Sequence, residues 1–531
     1  MLEAWSYLTQ SDLLHPLILL CLPWITYYSA IKGTFVSDDV AGIAVFDGKL
    51  QTPLSFHNLF KQFRYYFGRK PNPDYLKWID EKDHKKGKHE RQWIACNKAH
   101  HRLSLYICSL TGVLLYLVLS LIIGPHLAFL STVLFLVHPL GAQVIAWISG
   151  VGYLLGFTFS LGALYLVQTG YALHWVDSTW GFFFLLGGFS VLQWLAVEAI
   201  FPSVGTTLIL AFLGYWPFAL LSGLISLAGA AGTLKSAVSL RKQAFEEQKM
   251  GRSTKFTWRK GIVAMKSLQY YVKLCFLPRS MGLYHTYMYH YPIPEVEQPD
   301  KDFLLGLGIL LTGIAAFFLA PAPVCLALVW FIAYLFIFLN WVTAHQFVSE
   351  RYAWMPTVGV CILLAWALSP WPWAFALLTG LALCRTWVHI PTYYDEVMFY
   401  QSNIWNFFKS EVAFGNLGVV YTNHGLVGSS IDMWSMGSKI NPEYDVNWYN
   451  LYSVYKTQAV NQKNRELLQL SRDYLLKAIN AKSCHFPDRW QEELKQVDLA
   501  LGLVKPEPIL IPGAKLIRME GERQIKMELP A

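Results

Sequence analysis

Charge is scarce in this 531-residue chain: Asp, Glu, Lys and Arg together make 15% of it, against 54% apolar residues. With a positive mean hydropathy, that balance excludes an ordinary soluble domain and points to a polytopic membrane protein. The eight cysteines include no Cys-x-x-Cys and no zinc-type His/Cys spacing, which removes dithiol redox chemistry and structural zinc. Six of them lie in or beside apolar runs, leaving Cys96 and Cys484 in soluble parts, and no spacing requires that these two pair. No Asn-x-Ser/Thr sequon occurs, an absence that favours a bacterial inner membrane over the endoplasmic reticulum. Met1 to Asp12 carries no basic residue, so the positive start of a cleavable signal is missing and the first apolar run is expected to persist as a helix. The net charge of +8 is dispersed through loops, which argues against nucleic acid as a partner.

Apolar runs of roughly the 20 residues needed to cross a hydrocarbon core lie near 13–31, 103–124, 126–148, 150–170, 180–201, 203–231, 302–320, 322–344, 354–371 and 372–390. A weaker one near 258–278 is interrupted by Lys266 and Lys273, and with it the expected count is about eleven. The stretch 235–260 is dense in Lys and Arg. Short basic loops stay cytoplasmic, and anionic lipid is the natural partner of such a loop. Counting crossings from it places the N-terminus inside and the loops 32–102, 279–301 and 345–353 outside, together with everything after 391. Within the first loop, Phe56 to Phe67 has the composition of a helix lying among headgroups. His84, His89, His100 and His101 are expected in a solvated polar stretch rather than on a metal.

On that outside face the apolar runs end in polar groups: Asp38-Asp39, His138-Pro139 through Gly150, Glu198, and Glu350-Arg351. Polar groups gathered at one face of a lipid-solvated bundle must be paired or wetted, and they mark a candidate site. His285 and His290 stand among Tyr284, Tyr287, Tyr289 and Tyr291, a composition suited to an interfacial aromatic belt. After Ile390 the runs stop, and a 34-residue helical repeat register emerges. With its first position at Glu411, the tetratricopeptide (TPR) pattern meets Phe414, Leu417-Gly418, Tyr421, Trp434, Gly437 and Pro442. From Asp445 it meets Trp448, Leu451 and Tyr455, then an insertion around Asn461–Asn464 precedes Ser471, Leu475 and Ala478. Trp490 and Leu494 begin a third, capping pair, and Trp434 and Trp448 are expected between units.

These ordered pieces resemble the GT-C membrane glycosyltransferases, in particular the transmembrane-and-TPR O-mannosyltransferases and their bacterial relatives. Phe35-Val36-Ser37-Asp38-Asp39 is similar to the family's aspartate pair, and Leu136 to Gly150 to its His-Pro segment leading to a Ser-Gly turn. Glu198 with Pro202, and Ser349-Glu350-Arg351-Tyr352 with Met355-Pro356-Thr357-Val358-Gly359, resemble two further signatures. At four positions where the family carries charge this chain has Gln143, Val151, Tyr153 and Val197. The resemblance implies an all-α fold: a bundle over 1–390 with a large first outside loop, followed by an extracytoplasmic TPR-like domain over 391–531.

It also implies transfer of a sugar from a polyprenyl phosphate to a protein Ser or Thr hydroxyl. A hydroxyl needs a carboxylate to take its proton. Asp39, with Asp38 beside it, is the expected base and Glu198 the alternative. The departing lipid phosphate needs a fixed cation, for which Arg351 comes first and Arg279 second, with His138 in the same set and Glu350 and Tyr352 in support. Trp434, Tyr421, Trp448 and Tyr455 are the expected partner-binding residues of the tail, whose groove would hold an acceptor or partner protein. The donor is the one small molecule implied; a divalent metal is compatible with the chemistry but no ligand set indicates one. Plainer readings stay open, with the Asp pair as an N-cap or solvated turn and Glu350-Arg351 as a surface pair. So do two other functions: a catalytically degenerate scaffold that holds an assembly through its repeats, and a transporter.

Overall fold

The computed structural model describes residues 14–36, 45–46, 49–50, 86–172, 200–224, 258–283, 285, 298–340, 348–484, 486–503, 515–518 and 525–528. Asp38, Asp39, Val197, Glu198, the Phe56–Phe67 stretch, His84, His290 with its neighbouring tyrosines, and the basic residues before Trp258 lie outside these. Side chains are not described for 86–96, which include His89 and Cys96. Helices dominate the described residues, and strands are confined to two hairpins, β1 (Val45–Phe46) with β2 (Lys49–Leu50) and β3 (Lys515–Arg518) with β4 (Ile525–Glu528). Two compact units are present, Met1–Asn441 and Pro442–Ala531.

The first unit runs α1 (Leu14–Tyr27), α2 (Lys86–Ile123), α3 (Pro125–Val137), α4 (Gly141–Ile145), α5 (Val151–Ala172), α6 (Ile200–Phe212), α7 (Trp258–Phe276), α8 (Lys301–Leu319) and α9 (Ala322–Leu335). It continues through α10 (Glu350–Trp354), α11 (Thr357–Leu368), α12 (Pro372–His389), α13 (Glu396–Asn406), α14 (Glu411–Asn423) and α15 (Val427–Ile440). Among the described residues five spans are long and apolar enough to cross a membrane: Leu14–Lys32, Asn97–Ile123, Ile148–Gly170, Lys301–Leu319 and Pro372–Tyr393. Shorter apolar helices cover Pro125–Val137, Ala322–Phe338 and Thr357–Leu368. The chain therefore has the helices of a membrane protein. On α8 the large side chains Leu304, Leu305, Leu311, Phe318 and Leu319 are exposed, as a hydrocarbon-facing helix requires.

Two sequence expectations change. The run 126–148 is not one helix, because α3 stops at His138-Pro139. Proline has no N–H to give and drives the residue before it out of the helical region, and His138 is extended at φ −67°, ψ 133°. The carbonyls freed by this break are satisfied from other helices, as a buried break demands. Thr386 of α12 donates to the Val137 carbonyl at 2.7 Å, and Tyr27 of α1 donates to that of His138 at 3.2 Å. A Cβ at Gly141 would lie 2.2 Å from the Tyr27 hydroxyl oxygen, so this crossing needs glycine. The second change concerns His100 and His101, which are buried rather than solvated. Helix α2 begins at Lys86 and carries them into the bundle, since the sequence from there to Ile123 contains no proline.

The core beside the break is aromatic. Phe135, Phe157, Trp330, Tyr334 and Trp354 contact one another edge-to-face or tilted at centroid distances of 5.1–6.5 Å, the arrangements ring quadrupoles favour. Helix α7 meets α8 closely at Gly306, where an added Cβ would sit 2.0 Å from the Met265 carbonyl oxygen. One residue further, buried Lys266 reaches Asp300 at 2.7 Å, and Asp300 also N-caps α8 by accepting from the Asp302 and Phe303 amides.

Helices α14 and α15 pack as a pair, with Trp434 inside it. Its indole N–H donates to the Gly415 carbonyl at 2.9 Å, and its ring lies where a side chain at Gly418 would be. The second unit holds α16 (Asp445–Gln462), α17 (Arg465–Asn480) and α18 (Pro487–Ala500) around Tyr452, Leu475, Ala478, Trp490 and Val497. The turn between α16 and α17 is tight. Lys463 takes the left-handed conformation at φ 50°, and Asn464 caps α17 by accepting from the Glu466 and Leu467 amides.

Candidate functional site

Four sequence-distant segments meet around Arg351. Its guanidinium carbon lies 5.2 Å from the Tyr352 ring centroid, 5.4 Å from Trp147 and 5.8 Å from Tyr153. Cation–π attraction to three rings holds the charge in a fixed place while the side chain stays half-buried. Each wall is itself braced. Phe338 stacks on Tyr352 at 4.4 Å, and the Trp147 indole N–H donates to the Val36 carbonyl at 3.3 Å. That last bond brings the chain two residues before Asp38 against the Arg351 cage.

The backbone beneath the cage is fixed by Gln143. Its side-chain oxygen accepts the Arg351 amide N–H at 2.6 Å and the Ser349 hydroxyl at 3.0 Å. Ser349 stands at the N-cap position of α10, but its hydroxyl is spent on Gln143 rather than on its own helix. Thus Gln143 and Tyr153 both hold Arg351 in place. Val151 is buried at the start of α5.

Glu350 turns the other way and is 0% exposed. One oxygen accepts the Gly282 amide N–H and lies 3.7 Å from His285 Nε2; the other lies 3.2 Å from His389 Nε2. Burial pushes its carboxyl pKa up, but the imidazoles of His389 and His285 outweigh that and bring it down to about 2. The acid is ionised and clamps α10 to the end of α12 and to the 281–285 segment. A surface pair with Arg351 is excluded by this burial. The outer imidazole nitrogens continue the network, His285 Nδ1 to the Tyr270 hydroxyl at 2.8 Å and His389 Nδ1 to Thr392 at 3.4 Å.

The remaining candidates lie elsewhere. His138 spends both ring nitrogens inside the protein: Nε2 donates to the Cys275 carbonyl at 3.0 Å, and Nδ1 accepts from the Leu140 amide at 3.3 Å. It secures the α3 break and offers no free donor. Arg279 is exposed beyond α7, and its carbonyl accepts from Arg385 at 2.8 Å. Asp38, Asp39 and Glu198 lie outside the described residues. In the tail, Tyr421 is half-buried and its hydroxyl accepts from Gln401 at 2.9 Å, while Trp434 is buried within its own helix pair. In the second unit Trp448 and Tyr455 each stack on Tyr474, at 5.9 and 5.5 Å, with Lys477 over Trp448 at 4.7 Å. Among the described residues no group of three His, Cys, Asp or Glu is arranged to hold a metal ion.

Sequence reasoning missed His285 and His389 as partners of Glu350. They come from separate segments with no shared spacing; the one available signal was their place just beyond or at the ends of apolar runs. No family model, curated protein or solved structure matches this chain.

Proposed function

We propose that the chain is a GT-C-type membrane glycosyltransferase that moves a sugar from a polyprenyl phosphate to a protein hydroxyl on the extracytoplasmic side. The observation that carries this reading is the convergence at Arg351. Three of the separated pieces that resemble the family meet at one caged guanidinium: Phe35 to Asp39 through Val36, Leu136 to Gly150 through Gln143 and Trp147, and the one containing Glu350-Arg351. A planar cation held against aromatic rings is suited to the oxygens of a departing lipid phosphate, because its position is set before charge develops. Asp39 is the base in this reading, three residues beyond the carbonyl that the Trp147 indole holds. Eleven crossings would place this site and the tail on the same side. The tail is read as TPR-like, supported by helices that start 34 residues apart at Glu411 and Asp445. It would hold the acceptor or a partner protein.

Binding of polyprenyl phosphate to the purified chain in nanodiscs, followed by native mass spectrometry, tests the phosphate site. Arg351→Gln removes one charge-assisted contact, worth about 1.5–3 kcal/mol, and should weaken binding by about 10- to 100-fold. Equal binding by wild type and variant would remove Arg351 from the site, and the absence of binding by wild type would leave the scaffold reading.

A further inference from the structure

Helix α13 follows directly on the last apolar span and has two unlike faces. The inner face is committed to the bundle. Phe399 packs on Tyr393 and Trp147 at 5.8 and 6.3 Å, Phe407 packs on His285 at 4.5 Å, and Asn403 closes over Gly282. These contacts lay α13 across the 281–285 segment, a few residues beyond the end of α7. At that end Phe276 and Leu277 are exposed, and at the corresponding end of α12 so are Trp387 and Val388. Arg385 of α12 donates to the carbonyls of Pro278 and Arg279 at 3.2 and 2.8 Å, which sets the two helix ends at one level. Bare apolar side chains at the end of α12, a membrane-length helix, and level with them at the end of α7, mark where hydrocarbon gives way to headgroups. Helix α13 therefore starts at that border.

Its outer face carries exposed Gln401, which donates to the Tyr421 hydroxyl at 2.9 Å, and beside it large apolar side chains that no described residue covers. Met398 is 47% exposed and Trp405 88%, at a spacing of seven that keeps them on one side of the helix, and Phe408, in the turn just beyond its end, is 67% exposed. Lys409 follows, with its ammonium 5.9 Å over the Phe408 ring. Exposed Arg279 adds a second cation at the same border. Tryptophan and phenylalanine flanked by basic groups are the composition that partitions into the headgroup boundary, and the cations favour anionic lipid there.

We propose that the outer face of α13 and the turn after it, through Met398, Trp405, Phe408 and Lys409, are an interfacial anchor seated among the headgroups of the membrane that the bundle crosses. Through Phe399 and Asn403 the anchor would fix the height of the Glu350–Arg351 site above the lipid. The proposal rests on the membrane-length helices and not on sugar transfer, so the two can fail separately.

The test uses the full chain in nanodiscs of phosphatidylcholine and phosphatidylglycerol, with the photoreactive residue p-benzoylphenylalanine replacing Phe408. A second sample carries it at Met436, an exposed position on α15 (47% against 67% for Phe408). After irradiation, mass spectrometry should find acyl-chain adducts at 408 well above those at 436. Trp405→Asp should lower the 408 adduct several-fold while the chain still elutes as a folded species, since the Trp405 side chain is almost wholly exposed. Adduct yields at 408 no higher than at 436, or an unchanged yield in Trp405→Asp, would overturn the anchor. Crosslinking of 408 to a protein in intact cells, without lipid adducts, would overturn it in favour of a partner surface.

Discussion

Asp39→Asn is expected to lower sugar transfer by the roughly 10²–10⁴-fold that general-base catalysis contributes, while membrane insertion and lipid-phosphate binding persist. The substitution keeps size and hydrogen-bonding capacity but takes away proton acceptance, and an acceptor hydroxyl is a poor nucleophile without it. Parallel kinetics on both chains, with donor binding measured on the same preparations, separates a chemical defect from a folding one. Undiminished transfer would remove Asp39 as the base and move the assignment to Glu198.

The second large effect is structural. Glu350→Ala strips a buried carboxylate from the Gly282 amide and from His389, leaving polar groups unpaired where water does not reach. Breaking such a buried pair costs about 3–5 kcal/mol, a large share of the roughly 5–15 kcal/mol that holds a protein folded. The expected result is loss of monodisperse protein after solubilisation, with partial rescue by Glu350→Gln, which keeps an acceptor for Gly282. The folded carboxyl titrates at about 2 against an ordinary 4.5, so its charged-state stabilisation is present above pH 4.5 and is lost as pH falls towards 2. The thermal-stability gap between wild type and Glu350→Gln should narrow as pH falls from 4.5 towards 2. Wild-type stability of Glu350→Ala would remove the clamp.

The helices were legible because apolar runs report burial or lipid directly, and the starts of α14 and α16 fall at the residues that opened the repeat register, Glu411 and Asp445. What hydropathy missed were backbone effects. Pro139 ends α3 inside a run with no loss of apolarity, and α2 extends back through a charged stretch because nothing there breaks a helix. The candidate site was half legible. Arg351 and Glu350 stood out as charges at the end of an apolar run, but their roles diverge by direction, one towards Trp147 and Tyr153 and the other towards His285 and His389. No spacing rule encodes that divergence between adjacent residues. Gln143 and Tyr153, neutral where the resemblance implies charge, serve the cage, one as an acceptor for backbone and hydroxyl and the other as a ring for the guanidinium.

The most direct measurement of the central claim is product formation by the purified full-length chain in nanodiscs, using a panel of polyprenyl-phosphate sugars and a co-purifying protein as acceptor. The account predicts a glycosylated product with at least one donor. It also predicts that Arg351→Lys, which keeps the charge but loses the planar fork, gives about 10²–10³-fold less. No product with any donor from a correctly inserted wild-type chain would contradict it.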